Sequence, residues 1–452
     1  NLFQKILIAN RGEVALRLSR AADALGVASV ASYSTDDAGS LHALQAREAL
    51  ALPGQGAAAY LDQDTVIDLA QAANCDAIHP GYGFLSENAG FARKCRDAGL
   101  VFIGPEPQAM ALFGDKGAAR ALAVQAGVPV AQGTQGATSL DQMEEFIRRL
   151  DGAPALIKAL AGGGGRGMRV VRDAADLSAH FARAEAEAVS AFGSGGLYIE
   201  ELIPQARHIE VQVIGDGAGN LVHLFERECS LQRRHQKLVE IAPAPGLSDS
   251  LRAEICAASL SMARAAGVSS LCTFEFLITG PKGQERFVFI EANPRLQVEH
   301  TITEEIMGLD LVQTRIRLAA GETLPELGIS QNSLGLPRGM AIEVRVNMER
   351  IQPDGSALPQ SGTLRSYLPP GGGGVRTDGF GYTGYSTQTG FDSLLAKVIT
   401  HSPSGDYGDA LARACRALGE FHIDGVETNI SFLQGLLHHP DVQAGALDVG
   451  MV

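Results

Sequence analysis

The sequence predicts a mixed α/β and α+β chain, with a doubly wound parallel sheet in an amino-terminal domain, a central domain carrying a glycine-rich flap, and a β-rich carboxy-terminal domain. Three observations carry that class. Strand and helix signals alternate through roughly the first hundred residues, a glycine run at 162–165 falls between two strands, and the chain turns strand-rich from about Arg338.

The elements follow in order. Residues 6–9 form an apolar strand, 14–25 have helical spacing and stop at Gly26, and 27–33 are a second strand of small and β-branched residues. Strands recur at 77–79 and 100–103, each closed by Gly or Pro, which makes a βαβ series. The first turn reads N-R-G-E rather than G-x-G-x-x-G, so the dinucleotide fingerprint is missing. A helix is expected over 115–126. Strands at 155–159 and 168–172 flank the glycines as a hairpin flap, and strands recur from 197 to 224. Residues 274–278 and 287–291 read as an antiparallel pair across Pro281-Lys-Gly283, and helices are expected at 407–418 and 430–437. Stretches 52–57 and 368–374 are loops.

A chain of 452 residues implies two to four domains, and 45% hydrophobic residues suffice for real cores. No window approaches the eighteen or so apolar residues of a membrane span, and no signal-peptide core follows the start at Asn1. The expectation is a cytoplasmic protein: its six cysteines are scattered without a C-x-x-C pair and read as reduced thiols. A net charge of -14 argues against a nucleic-acid surface but not against a local pocket for an anion. Lysines are scarce (Lys5, Lys94, Lys116, Lys158, Lys237, Lys282, Lys397), so each one carries more weight than usual.

Four clusters can carry chemistry. Consecutive glycines at 162–165 let backbone N–H groups approach phosphate oxygens, and alone they would equally suit a surface turn. Lys158 at the base of the flap favours phosphate. A Walker A loop is excluded because no lysine precedes Ser or Thr. The segments T-F-E-F-L (273–277) and F-I-E-A-N (289–293) place Glu275, Glu291 and Asn293 on neighbouring strands. Hard oxygen donors of this kind suit Mg²⁺, the alternative being an ion pair with Arg286 or Arg295. If extended, R-L-Q-V-E-H (295–300) turns Arg295, Gln297 and Glu299 to one face, a guanidinium fork and a carboxylate suited to bicarbonate. The cluster Q-R-R-H-Q-K (232–237) reads alone as a basic loop. Arg345, inside a strand, needs an anionic partner. His79, His180, His401, His438 and His439 lack ligand spacing and are taken as structural or solvated.

These motifs together resemble the biotin carboxylase component of biotin-dependent carboxylases, in the ATP-grasp superfamily. The resemblance runs from I-A-N-R-G-E-V-A-L-R (8–17) to I-D-G-V-E-T-N (423–429). It passes through H-P-G-Y-G-F-L-S-E-N (79–88), F-G-D-K (113–116), G-G-G-G-R-G-M (162–168), R-H-I-E-V-Q (207–212), E-R-E-C-S-L-Q-R-R-H-Q-K (226–237) and E-A-N-P-R-L-Q-V-E-H (291–300). It implies domains at 1–114, 115–336 (ATP-grasp, with a mobile lid at about 132–204) and 337–447. ATP would contact Lys116, Lys158, Gly164, Gly165, Met168, His208, Gln232, His235 and Leu277, with a hinge from Glu200 to Ile203 at the adenine. Glu275, Glu291 and Asn293 would hold Mg²⁺, or Mn²⁺ in its place. Lys237, Arg295, Gln297 and the Val298 backbone would cradle bicarbonate, with Glu299 as its base. Arg345 would stabilise the biotin enolate, with Tyr82 at the biotin ring.

The implied reaction is MgATP-dependent carboxylation of biotin on a carrier domain, through carboxyphosphate. The implied partners are that carrier domain and a carboxyltransferase, as the first half of an acyl-CoA, pyruvate or urea carboxylase; no nucleic acid and no membrane are expected. No A-M-K-M segment occurs, and the expectation favours the amino-terminal part of a longer carboxylase over a free subunit. Leu160-Ala161 replaces the usual Ser-Gly before the glycine run. Ala24 replaces an acidic residue, and Gly373 stands where the family has an aromatic. The last two resemble parts of the bacterial dimer contact, so a homo-oligomer is compatible but the resemblance does not by itself imply that dimer. The competing readings are another ATP-grasp ligase, which would lack R-L-Q-V-E-H and R-R-H-Q-K together, and a non-catalytic ATP-binding scaffold, which would have lost a catalytic residue.

Overall fold

The computed structural model describes residues 1–163 and 165–452; Gly164, expected at the phosphates, lies outside them. The first sheet is parallel, with strands β1 (Lys5–Ile8), β2 (Ala28–Ser34), β3 (Ala49–Leu52), β4 (Ala77–His79) and β5 (Val101–Phe102) in the order β3-β2-β1-β4-β5. Alternation along β1 sends Ile6 and Ile8 to one core, with Val14 and Leu18 of the helix Gly12–Ala24. Leu7 enters the opposite core with Val66, Ile67 and Phe91. Apolar residues on both faces and helices over both are what a doubly wound sheet requires.

The flap has its own small sheet, in which β6 (Ala155–Ala159) pairs antiparallel with β7 (Arg169–Val171) and with β8 (Leu197–Glu201). The helices Leu140–Arg149 and Leu177–Phe192 cover it, and Met143, Phe146, Ile157, Ala184 and Ile199 form a separate hydrophobic cluster there. The strand–glycines–strand reading of the flap is the observed one.

The large sheet is built from β9 (Arg207–Gly215), β10 (Leu221–Arg233), β11 (Gln236–Ala242), β12 (Leu271–Thr279), β13 (Arg286–Asn293) and β14 (Met340–Asn347). It continues through two later strands. Between β14 and those lie β15 (Glu349–Ile351), β16 (Ala357–Pro359) and β17 (Ser366–Leu368), then come β18 (Val375–Gly379), β19 (Leu394–Ser402) and β20 (His422–Asp424). The order β13-β12-β9-β10-β11-β14-β19-β18 is antiparallel throughout. Ile209, Val211 and Val213 of β9 lie in one core with Phe274 and Phe276 of β12 and the helix Asp249–Ala266, which leaves the intervening polar residues facing the other way.

One expectation fails. Residues 295–299 are not extended: Pro294 ends β13, and the chain turns into the helix His300–Met307, with Glu299 at its N-cap. Proline offers no N–H to a ladder and marks the end of the strand. Among the described residues no helix is long and apolar enough to cross a membrane.

Candidate active site

The site grows from one row of charge across four strands. Glu291 of β13 faces Glu275 of β12, Glu275 faces Glu210 of β9, and Glu210 faces Arg227 of β10. Cross-strand neighbours share a face, so the row follows from register alone. Glu210, Arg227 and Glu275 are buried, and charges there need partners. Arg227 Nε donates to Glu210 at 2.7 Å, and its Nη1 donates to Gln212 and to Thr303.

Lys237 links this row to the N-cap carboxylate. It lies beside a two-residue turn in which Arg234 and His235 both have positive φ, so the basic cluster at 232–237 is a tight hairpin with Gln232 opposite Lys237. Its Nζ donates to Glu299 at 2.7 Å, Glu210 at 2.8 Å and Glu275 at 3.0 Å. Burial alone would lower this ammonium's pKa, but Glu210, Glu275 and Glu299 hold it well above the ordinary lysine value. Glu299 makes no capping bond to its own helix, so its carboxylate is free to reach sideways. Its second oxygen accepts from Arg345 Nη2 at 3.0 Å, and Arg345 Nε donates to Glu240 at 2.7 Å. Burial alone would raise the Glu299 carboxyl, yet Lys237 and then Arg345 hold it well below the usual carboxylate range. Glu299 is therefore ionised between two cations.

Arg295 lies beside this pair. Its Nε is 3.0 Å from Glu87 and its Nη1 donates to the Gln297 oxygen at 3.0 Å, while the buried Gln297 Nε2 makes no hydrogen bond among the described residues. The Val298 carbonyl accepts from the fully buried Lys397, which also lies 3.3 Å from Glu13. The Tyr82 hydroxyl is taken up by Glu13, and burial followed by that carboxylate pushes the phenol well above its ordinary value.

The residues expected at the nucleotide surround the other end. Lys116 Nζ lies 3.4 Å from Glu291, and Lys158 pairs with Glu200, which also meets Arg120. His208 Nε2 bonds Glu275 at 2.7 Å and its Nδ1 bonds Gln232 at 2.5 Å. Ile203 packs with Ala131, Ala206, Val288 and the partly buried Leu277, an apolar platform at the hinge. Gly165 (φ +77°) lies so close to the hairpin that an added Cβ would come within 3.1 Å of the His235 Cβ. Met168, half-buried, precedes β7 on the returning arm of the flap.

Three sets of donors compete for a divalent cation, one of them Glu210, Cys229 and Glu299, whose two carboxylates the Lys237 ammonium already bonds. His208, Glu210 and Glu275 bring ligand atoms within 4.8 Å of one another, but the Lys237 ammonium already bonds both carboxylates. Glu275, Glu291 and Asn293 are hard oxygen donors on adjoining strands, with Asn293 hydrogen-bonded to Glu275 and Lys116 3.4 Å from Glu291; Lys237 holds Glu275 here too, but neither Glu291 nor Asn293. The donor chemistry of this last set fits Mg²⁺. Neither Arg286, 3.8 Å from Glu201, nor Arg295, held by Glu87, supplies the ion pair that competed with the metal reading.

Several residues of the network were not singled out from the sequence: Glu87, Glu210, Arg227, Glu240, Glu343 and Lys397. The signal for Glu210 was present in H-I-E-V-Q, where 208, 210 and 212 share one face. Glu240 and Glu343 are cross-strand partners, and nothing in either strand alone announces that pairing.

Three family descriptions match the chain in order: "Biotin carboxylase, N-terminal domain" over residues 2–110, "Carbamoyl-phosphate synthase L chain, ATP binding domain" over 115–327, and "Biotin carboxylase C-terminal domain" over 343–452. The mitochondrial pyruvate carboxylase of Homo sapiens is 45% identical over 454 residues, covering 99% of this chain and 38% of that protein. The chain thus spans less than two-fifths of such relatives; the pyruvate carboxylase of Bacillus subtilis, also 45% identical, is covered to 39%. The Campylobacter jejuni biotin carboxylase, solved as a βγ-ATP complex, superposes with a TM-score of 0.94 at 39% identity, covering 99% of this chain and 98% of that one. The biotin carboxylase domain of Hydrogenobacter thermophilus 2-oxoglutarate carboxylase, solved with MgADP and bicarbonate, gives 0.93 at 39% identity, covering 99% and 97%.

Proposed function

The chain belongs to the biotin carboxylase family, and from that premise we propose that it is an ATP-grasp ligase carboxylating carrier-bound biotin with MgATP and bicarbonate. One observation carries the reading. Glu299 is ionised between Lys237 and Arg345, beside the guanidinium of Arg295 and the unpartnered amide of Gln297. A carboxylate that can accept a proton thus adjoins donors for a planar oxyanion.

In this proposal Lys237, Arg295, Gln297 and the Val298 backbone hold bicarbonate and acidify it. Glu299 takes its proton, which compensates for the weak basicity of a depressed carboxylate by position. The deprotonated anion attacks the γ-phosphate and releases ADP, and the resulting carboxyphosphate yields CO₂ and phosphate. The phosphate removes the N1′ proton of biotin, whose enolate Arg345 steadies as it takes up CO₂, with Tyr82 beside the ring. Lys116, Lys158, Gly164, Gly165, Met168, His208, Gln232 and His235 contact the nucleotide, with Glu200, Ile203 and Leu277 at the adenine. Glu275, Glu291 and Asn293 would hold Mg²⁺, which would supply neutralisation of phosphate charge.

The proposal extends to the domains at 1–114, 115–336 and 337–447, with a lid at about 132–204 that moves as a unit; its separate hydrophobic cluster supports this. The complete protein would join a biotin carrier and a carboxyltransferase, on one longer chain or as subunits, and act on an acyl-CoA, pyruvate or urea. A cytoplasmic location is proposed with it, supported by six unpaired cysteines. The test is ADP release with MgATP, bicarbonate and free biotin. The expected release depends on both bicarbonate and biotin; turnover indifferent to both overturns the reading.

A further inference from the structure

Arg315 lies in the helix Leu311–Ala319, fully buried, and none of its three guanidinium nitrogens makes a hydrogen bond among the described residues. Arg227 and Lys397, equally buried, are both paired. An isolated buried charge is costly, so Arg315 calls for an anion.

A second unpartnered donor faces it. His79 ends β4, and its Nδ1 accepts from the Gly81 N–H at 3.1 Å, which places the ring hydrogen on Nε2. That Nε2 is buried and makes no hydrogen bond among the described residues. Ala77 shares a hydrophobic cluster with Val312 and Ile316 of the arginine's helix, so alternation turns His79 toward the same helix. Arg315 Nη2 reaches Gly104, where an added Cβ would come within 3.0 Å of it; Gly104 follows β5, the parallel neighbour of β4. Guanidinium and imidazole therefore lie at the carboxyl ends of adjacent parallel strands, the end of such a sheet that carries its ligand sites. The electrostatics agree. Burial and then the like charge of Arg295 bring Arg315 down to about 9, while burial and then Arg315 keep His79 well below its ordinary value. No carboxylate contributes to either shift.

We propose that Arg315 and the Nε2–H of His79 form a buried site for a small monovalent anion of chloride or bicarbonate size. Its occupant offsets Arg315 and relieves Arg295, whose charge Arg315 feels; anion binding itself does not depend on the catalytic reading. The direct test is anomalous diffraction from the full chain crystallised in bromide, paired with melting temperatures as gluconate is exchanged for chloride or bicarbonate at constant ionic strength. The expected result is a bromide peak between Arg315 and His79, and an anion-dependent rise in melting temperature that Arg315→Gln abolishes. The anion acting at the lower concentration is the natural occupant. Water alone around the guanidinium, bromide bound at crystal concentration only, or the same rise in Arg315→Gln overturns the proposal. If Arg315→Gln does not fold, the wild-type bromide density and melting shift decide it.

Discussion

One nitrogen of Arg345 serves two carboxylates: Nη2 lies 3.0 Å from Glu299 and 2.5 Å from Glu240. The guanidinium is thereby tied to Glu240 on the neighbouring strand and held beside Glu299. Burial would lower it, but Glu240 and then Glu299 hold it above the ordinary arginine value, so it stays charged throughout the working pH range.

Arg345→Ala is expected to cut carboxybiotin formation about a hundredfold, with less than about a tenfold loss in bicarbonate-dependent ATP hydrolysis. Arg345→Lys should fold better than Arg345→Ala yet recover little carboxylation, because an ammonium is a point charge that cannot keep the paired Nε and Nη2 contacts with Glu240 and still present a planar fork to an enolate. Equal losses in the two reactions would remove the enolate role.

Glu291→Gln weakens one hard donor while leaving Glu275 held by Lys237 and His208. The Mg²⁺ concentration for half-maximal ATPase should rise roughly tenfold or more. An unchanged Mg²⁺ requirement would shift the assignment toward His208, Glu210 and Glu275.

Glu343 supplies a pH dependence that belongs to the fold. Burial and then Glu240 raise its carboxyl well above 4.5, and Thr301 donates to it at 2.7 Å. The raised value means its stabilising contribution is fully present below about the ordinary carboxyl value and is lost as pH rises through the folded one. Glu343→Gln, a neutral mimic, should therefore match wild type near pH 4 and gain relative stability as pH rises, read from denaturant midpoints. A constant difference between the two at all pH values would show that Glu343 is ionised in the fold.

Gly165 combines positive φ with close approach to His235. Gly165→Val should strain the flap by roughly 1–3 kcal/mol, raising the KM for ATP about tenfold or more while the melting temperature changes little. A normal KM would mean that the flap does not close against the hairpin at 234–235.

Much of this was legible because side-chain alternation survives in a single sequence. The two cores around β1 follow from Ile6-Leu7-Ile8, and the hairpin β12–β13 from two apolar runs across Pro281-Lys-Gly283. Register did not survive. Glu210, Glu275 and Glu291 become one row only when β9 lies between β10 and β12, a long-range pairing that no local pattern encodes. The misread stretch at 295–299 had its warning in Pro294, which outweighs the polar alternation after it. Lys397 stands out only as one of seven scarce lysines, and its partner appears once the fold places it under Val298.

The central claim is that Glu299 acts on bicarbonate rather than on the nucleotide. Glu299→Gln should leave the fold intact, since Lys237 keeps Glu210 and Glu275 and Arg345 keeps Glu240. The measurement is bicarbonate-dependent ADP release by this variant alongside its ATP affinity. The expected outcome is a fall in turnover of roughly 10²–10⁴-fold, with ATP affinity within about threefold of wild type. Retained bicarbonate-dependent turnover with a large loss of ATP binding would contradict it.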